Sequence, residues 1–123
     1  MAIKEAIILA GGLGTRLRSV VPDLPKCMAP VAGRPFLFYV INQLRSQGIN
    51  RFIFSLGYRS EFILDYLQSE FPTLNYVTAV ETEPLGTGGA IQLAARHCQG
   101  SIAVIANGDT LFRADLKIGR AHV

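Results

Sequence analysis

Apolar residues recur along this chain in two alternating rhythms. Short unbroken runs such as Ala6-Ile7-Ile8-Leu9-Ala10 and Phe52-Ile53-Phe54 have the length and content of buried strands. Between them lie longer stretches with apolar residues every three or four positions, the spacing of one helix face. Leu37, Val40, Ile41 and Leu44 form one such stripe, and Ile63, Leu67 and Phe71 form another. Pro35 suits the opening of the first helix, and Gly48 suits its end. Ser60 suits the cap of the second, with Glu61 in its first turn. A third helix is expected over Thr87–His97. The expected strands are Ala6–Ala10, Arg51–Ser55, Leu74–Val80 and Ser101–Ala106. A long loop holding Pro22, Pro25, Pro30 and Pro35 leads into the first helix, and Glu81–Gly86 reads as another loop.

Strands that alternate with helices imply an α/β fold with a mostly parallel sheet and flanking helices. Ligands of such sheets bind beyond the carboxyl ends of the strands. Three conspicuous motifs each follow an expected strand. Gly11-Gly12-Leu13-Gly14-Thr15-Arg16 follows the first, Glu83-Pro84-Leu85-Gly86-Thr87-Gly88-Gly89-Ala90 the third, and Asn107-Gly108-Asp109 the fourth. The expected topology brings all three to one sheet edge.

Composition narrows the class. At 123 residues the chain holds one domain at most, and 50% hydrophobic with 17% charged residues makes it globular. The net charge of +3 fits an anionic small molecule and equally an ordinary surface; no Lys/Arg run points to nucleic acid. No apolar run approaches the roughly 18 residues of a membrane span, and the start lacks a signal-type segment. Cys27 and Cys98 sit in no metal-type spacing and read as reduced intracellular thiols. A cytoplasmic protein is expected.

The first motif carries the chemistry. Gly11, Gly12 and Gly14 expose backbone N–H groups to oxygens, and Arg16 adds a charged donor fork. A dinucleotide turn would need glycine where Leu17 stands, an immediate helix and an acid about 20 residues on. Four prolines intervene instead, and no acidic residue lies between Asp23 and Glu61. The Gly-Lys-Ser/Thr ending of a nucleoside-triphosphatase loop is absent too. What remains is a nucleotide whose phosphates lie along an open basic loop, met by Thr15 and Arg16, with Lys26 as a second point charge. Asp109, after an apolar strand and a glycine, suits Mg²⁺, which commonly takes one or two carboxylates plus substrate phosphates. Glu81 suits base selection, because a carboxylate accepts both N1–H and N2–H₂ of guanine; it also accepts the single N3–H of uracil.

These residues together resemble the sugar-1-phosphate nucleotidyltransferases. The likeness rests on Leu9-Ala10-Gly11-Gly12-Leu13-Gly14-Thr15-Arg16-Leu17, Pro25-Lys26, Met28-x-Pro30-Val31 and Gly33-x-Pro35, then Glu83–Ala90 and Asn107-Gly108-Asp109. It runs from about Ile3 to Asp115 with four motifs in order. Within the family the pattern looks most like the D-glycero-D-manno-heptose 1-phosphate guanylyltransferases, which make GDP-heptose for surface polysaccharides. Mannose-1-phosphate guanylyltransferases and N-acetylmuramate-1-phosphate uridylyltransferases share much of its wording.

The resemblance implies a Rossmann-like fold of the nucleotide-diphospho-sugar transferase type. It also implies a reaction: sugar 1-phosphate plus nucleoside triphosphate, with GTP favoured, gives nucleotide-sugar and pyrophosphate. On that pattern Gly11, Gly12, Gly14 and Thr15 hold the nucleotide, with Gly86 against the base and Thr87 beside it. Arg16 binds the departing phosphates, Lys26 neutralises the α-phosphoryl region and Asp109 holds Mg²⁺. Gly88 and Gly89 leave room for nucleoside or sugar, and Asn107 lies on the substrate side. Cys27 stands where the family usually has a second proline. A non-catalytic nucleotide-binding regulatory module is the reading from a different class, and the joint presence of Arg16, Lys26 and Asp109 argues against it. His97 and His122 receive no role.

Family members are considerably longer. Residues 1–117 are therefore expected to be the N-terminal nucleotide-binding part of a truncated domain, inactive alone. Ile118-Gly119-Arg120-Ala121-His122-Val123 matches one translation of a sequencing adapter and reads as a non-native tail.

Overall fold

The computed structural model describes residues 3–10, 26–57, 60–83 and 85–107, apart from the side chains of Lys26 and Asn107. Its elements run in the order β1 (Glu5–Leu9), β2 (Pro30–Val31), β3 (Arg34–Pro35), α1 (Phe36–Ser46), β4 (Arg51–Leu56), α2 (Ser60–Glu70), β5 (Tyr76–Val80), α3 (Gly86–Ala95) and β6 (Val104–Asn107). A single 3-10 turn covers Lys26–Met28. Four strands form one sheet in the order β5-β4-β1-β6, and every pairing is parallel. The expected α/β architecture is therefore present.

Strand alternation divides the core into two layers. Ala6, Ile8, Phe52, Phe54 and Leu56 pack with Leu37, Val40, Ile41 and Leu44 of α1 and Ile63 and Leu67 of α2. Ile7, Ile53, Ala79 and Ile105 pack with Ile91 and Ala94 of α3 on the other face. Both predicted helix stripes are thus the buried faces. Phe71 is buried as expected, one residue beyond the end of α2.

Several boundaries move for identifiable reasons. α1 begins after Pro35, which takes an extended ψ of 146°, and Gly48 follows its end at φ +98°. Ser60 is the first residue of α2 and not the residue before it. β5 starts at Tyr76, because the Leu74 N–H is still held by the Phe71 carbonyl in a turn. α3 stops at Ala95, where the N–H groups of His97 and Cys98 bond three residues back. β6 starts at Val104, three residues later than expected, because the chain just before it is tied elsewhere.

That tie is Glu5. Its carboxylate is buried and accepts from Arg51 Nη1 at 2.7 Å, Gln99 N at 2.9 Å and Gly100 N at 2.7 Å. Arg51 Nη1 also donates to the His97 carbonyl at 2.7 Å. Burial works against the charge, but the Gln99 and Gly100 N–H groups and then Arg51 outweigh it. They hold the carboxyl below its ordinary range. The Cys98 thiol beside it is pushed up to about 11, by burial first and by the Glu5 charge second, and Arg51 partly offsets this. It stays protonated and unreactive.

The proline-bearing loop contains structure that periodicity did not disclose. β2 and β3 form a two-residue hairpin around Ala32 at φ +52° and Gly33 at φ +84°. Both positive angles are what a tight hairpin turn of this hand requires. Ala32 carries a left-handed cost of roughly 1 kcal/mol. The hairpin is fixed from α1: Tyr39 Oη donates to the Val31 carbonyl at 2.8 Å, the Arg34 guanidinium lies 4.4 Å over the Phe38 ring, and Phe36 N donates to Ala29 O.

Glu5→Gln should lower stability by about 2 kcal/mol at neutral pH, as expected for a lost charged acceptor. A carboxyl depressed in the folded state stabilises above its unfolded pKa and loses that contribution as pH falls through the folded value. The gap between the two proteins should therefore close below roughly pH 4. Urea unfolding at pH 7 and pH 3 measures this, and a gap of equal size at both would contradict it.

Candidate nucleotide and sugar-phosphate site

All four strands of the main sheet run in the same direction, so the chain leaves β1, β5 and β6 at one edge. β1 and β6 are neighbours, with Leu9 in register with Asn107. The direction of strand succession reverses between them, which is where open α/β sheets bind ligands. β5 lies two strands from β1 on the other side, roughly 10 Å away at ordinary strand spacing. The three motifs thus emerge along a single edge. Gly11, Gly12, Gly14, Thr15, Arg16 and Asp109 themselves lie outside the described residues.

Lys26 opens the 3-10 turn, next to Cys27, which is 2% exposed and packs in the main core. Asn107 is the last residue of β6. Glu81, Gly86, Thr87, Gly88 and Gly89 gather at the junction of β5 and α3. Glu81 N donates to the Leu56 carbonyl, and Glu81 Oε1 accepts from the Leu85 N–H at 3.2 Å. One carboxylate oxygen thereby holds the turn that starts α3. Gly86 has φ +77°, so glycine is needed there for the backbone itself.

The two glycines that follow differ. A Cβ on Gly89 would meet Leu85 Cβ at 2.8 Å, so this glycine admits the close approach of Leu85. A Cβ on Gly88 would meet nothing within 4 Å. The packing of the described chain gives no reason for glycine at 88. Leu85, the residue before α3, makes no side-chain capping bond among the described residues, and Gly86, Thr87 and Gly88 are exposed there. The helix presents bare N–H groups at the carboxyl edge of the sheet.

Sequence reasoning missed two members of this corner. Val80 and Leu85 are two of the three exposed large apolar residues among those described, and they flank Glu81. In the sequence Val80 reads as the last residue of a strand and Leu85 as part of the loop and motif that follow, and neither reading announces exposure. No cluster of three or more His, Cys, Asp or Glu suited to a metal occurs among the described residues, and no helix there is long and apolar enough to cross a membrane.

Residues 5–120 match the family model described as nucleotidyl transferase. The D-glycero-alpha-D-manno-heptose 1-phosphate guanylyltransferase of Aneurinibacillus thermoaerophilus is 51% identical over 92% of this chain and 49% of its own. The enzyme of that name from Campylobacter jejuni is 45% identical over 91% of this chain and 50% of its own. The solved structure of HddC from Yersinia pseudotuberculosis, complexed with GMP-PN, superposes with a TM-score of 0.78 at 42% identity. The match covers 87% of this chain and 48% of that one. The chain spans about half the length of the curated relatives it matches. With this coverage and a parallel sheet that opens its motifs along one edge, the chain belongs to the nucleotidyl transferase family.

Proposed function

We propose that the protein carrying this chain transfers a guanylyl group from GTP to a heptose 1-phosphate, giving GDP-heptose and pyrophosphate. The observation that carries this reading is the 51% identity to a heptose 1-phosphate guanylyltransferase across 92% of the chain. The reaction would take place in the cytoplasm, where nucleoside triphosphates are available.

In this reading a phosphate oxygen of the sugar 1-phosphate attacks the α-phosphorus of GTP in line. The bond from that phosphorus to the bridging oxygen breaks, and pyrophosphate leaves with the electron pair. The nucleophile is already an anion, so the protein's contribution is positioning and charge neutralisation. Gly11, Gly12, Gly14 and Thr15 hold the nucleotide, Arg16 binds the departing phosphates and Lys26 neutralises the α-phosphoryl region. Asn107, with Gly88 and Gly89, borders the substrate. Asp109 would supply one carboxylate to Mg²⁺ alongside the phosphates, and bound there the ion would neutralise phosphate charge.

Glu81 supplies base selection. Its Oε1 is fixed by the Leu85 N–H, which orients the carboxylate as an acceptor edge. Guanine offers two adjacent donors to such an edge, whereas uracil offers one donor between two acceptors. Val80 and Leu85 would cover the faces of the base.

The product of the complete reading frame tests the reaction, assayed for pyrophosphate release across a matrix of nucleoside triphosphates and sugar 1-phosphates. GTP with heptose 1-phosphate should be the preferred pair. Preference for mannose 1-phosphate, or for UTP with an N-acetylated amino sugar, would reassign the substrate. Saturable nucleotide binding without turnover on any sugar would support the regulatory module instead. Lys26→Ala should cost about 2–4 kcal/mol in transition-state stabilisation, roughly 30-fold to 10³-fold in kcat. A rate within a few-fold of the parent removes that role.

Glu81→Gln keeps an acceptor for Leu85 while replacing the second oxygen with a donor. GTP should exceed inosine triphosphate, which lacks the N2 amino group, by roughly tenfold or more in the parent protein. That ratio should fall toward unity in Glu81→Gln, and an unchanged ratio would place the base elsewhere. Gly88→Ala offers a separate check. It should raise thermal stability, since alanine is worth roughly 1 kcal/mol over glycine within a helix. It should also weaken nucleotide or sugar-phosphate binding, as read by calorimetry, and unchanged affinity would leave the ligand no place at this turn.

A further inference from the structure

Lys26 can serve a reacting phosphate only if its backbone is held in place, and the structure shows what holds it. The 3-10 turn is three residues long, too short to be stable through its own hydrogen bonds. Cys27 is 2% exposed and belongs to the core cluster that includes Leu37, Val40 and Ile41 of α1. Met28 packs partly against the same cluster. Immediately downstream, the Phe36 N–H closes onto the Ala29 carbonyl, and Tyr39 holds the hairpin at Val31. Downstream of Lys26 the chain is therefore fastened to α1, and the fastening nearest the lysine is the Cys27 side chain, one peptide away.

We propose that Cys27 is a positioning residue for Lys26: its buried side chain, seated between the 3-10 turn and α1, fixes where the lysine backbone stands. The inference rests on the reading of Lys26 as the residue that neutralises the α-phosphoryl region. A rigid placement matters there because a misplacement of about 1 Å in a catalytic group can cost roughly 10²-fold in rate. Consecutive Cα atoms are linked at a fixed separation of about 3.8 Å, so a shift of Cys27 into a void passes directly to its neighbour. The thiol takes no part in bond making or breaking.

The test uses the product of the complete reading frame and reads kcat, KM and melting temperature together. Cys27→Ala removes only the sulfur and should lower kcat at least tenfold, with KM for sugar 1-phosphate changed less than threefold. Ile63→Val, a buried truncation on α2 in the same core cluster, serves as the matched control. It should shift the melting temperature comparably while leaving kcat within twofold, which separates positioning from general loss of stability. Cys27→Val, which refills the space with an apolar side chain, should retain kcat closer to the parent than Cys27→Ala does. A Cys27→Ala enzyme with parental kcat would overturn the inference. Lys26→Ala is run beside them. If Lys26→Ala is fast, the reading of the lysine fails; if it is slow while Cys27→Ala is fast, only the positioning role fails.

Discussion

Glu5 is charged, buried and bonded to three donors drawn from distant parts of the chain. Its backbone begins β1, its partner Arg51 begins β4, and its remaining bonds go to the turn that precedes β6. Arg51 in turn reaches the carbonyl of His97 just past α3. One carboxylate thus fixes the relative positions of two central strands and the connection that returns the chain to the sheet. Such a group would be costly without its partners, since an unpaired buried charge destabilises strongly. With all of them in place it also dictates geometry: Gln99 and Gly100 are held at the carboxylate, so β6 begins pairing only at Val104.

This locks one end of a parallel sheet and leaves the other to function. At the amino edge, the buried polar group is fully partnered. At the carboxyl edge, Ser55 in β4 is also buried, yet its hydroxyl has no hydrogen-bond partner among the described residues. Its carbonyl holds the Ala10 N–H, from which the glycine-rich segment departs. The same edge carries exposed Val80 and Leu85 and the uncapped start of α3. Among the described residues, the buried carboxylate at the strand starts is partnered, and the buried Ser55 hydroxyl near the strand ends is not. A parallel sheet invites this division, because every strand sends its end in one direction.

Much of this was legible in the residues. The runs at Ala6–Ala10 and Phe52–Phe54 are continuous and apolar because both faces of those strands are covered. The stripes Leu37–Leu44 and Ile63–Leu67 were visible because α1 and α2 bury one face each. The β2–β3 hairpin was not visible: strands of two residues have no period, and prolines at 30 and 35 read as loop. Nor was the role of Glu5, since nothing local at residue 5 announces partners at 51, 99 and 100. Alternation of strand and helix sufficed to predict that β1, β5 and β6 end at one edge, because parallel topology follows from it. The part played by Leu85 was hidden, since an apolar residue ahead of a helix looks the same whether it faces a core or a ligand.

Gly88 and Gly89 show how far such reading goes. In sequence they are one pair, and a single reason, room for a ligand, covers both. In the structure Gly89 is required by Leu85, whose Cβ would lie 2.8 Å from a Cβ at 89. That contact seats Leu85 beside Glu81, so Gly89 bears on the base corner through packing alone. Gly88 has no such neighbour and weakens the helix it belongs to. A residue that costs the fold stability, on an exposed turn at the ligand edge, is best accounted for by something outside the described chain. Packing among the described residues therefore accounts for Gly89 and not for Gly88, although the two are indistinguishable as letters.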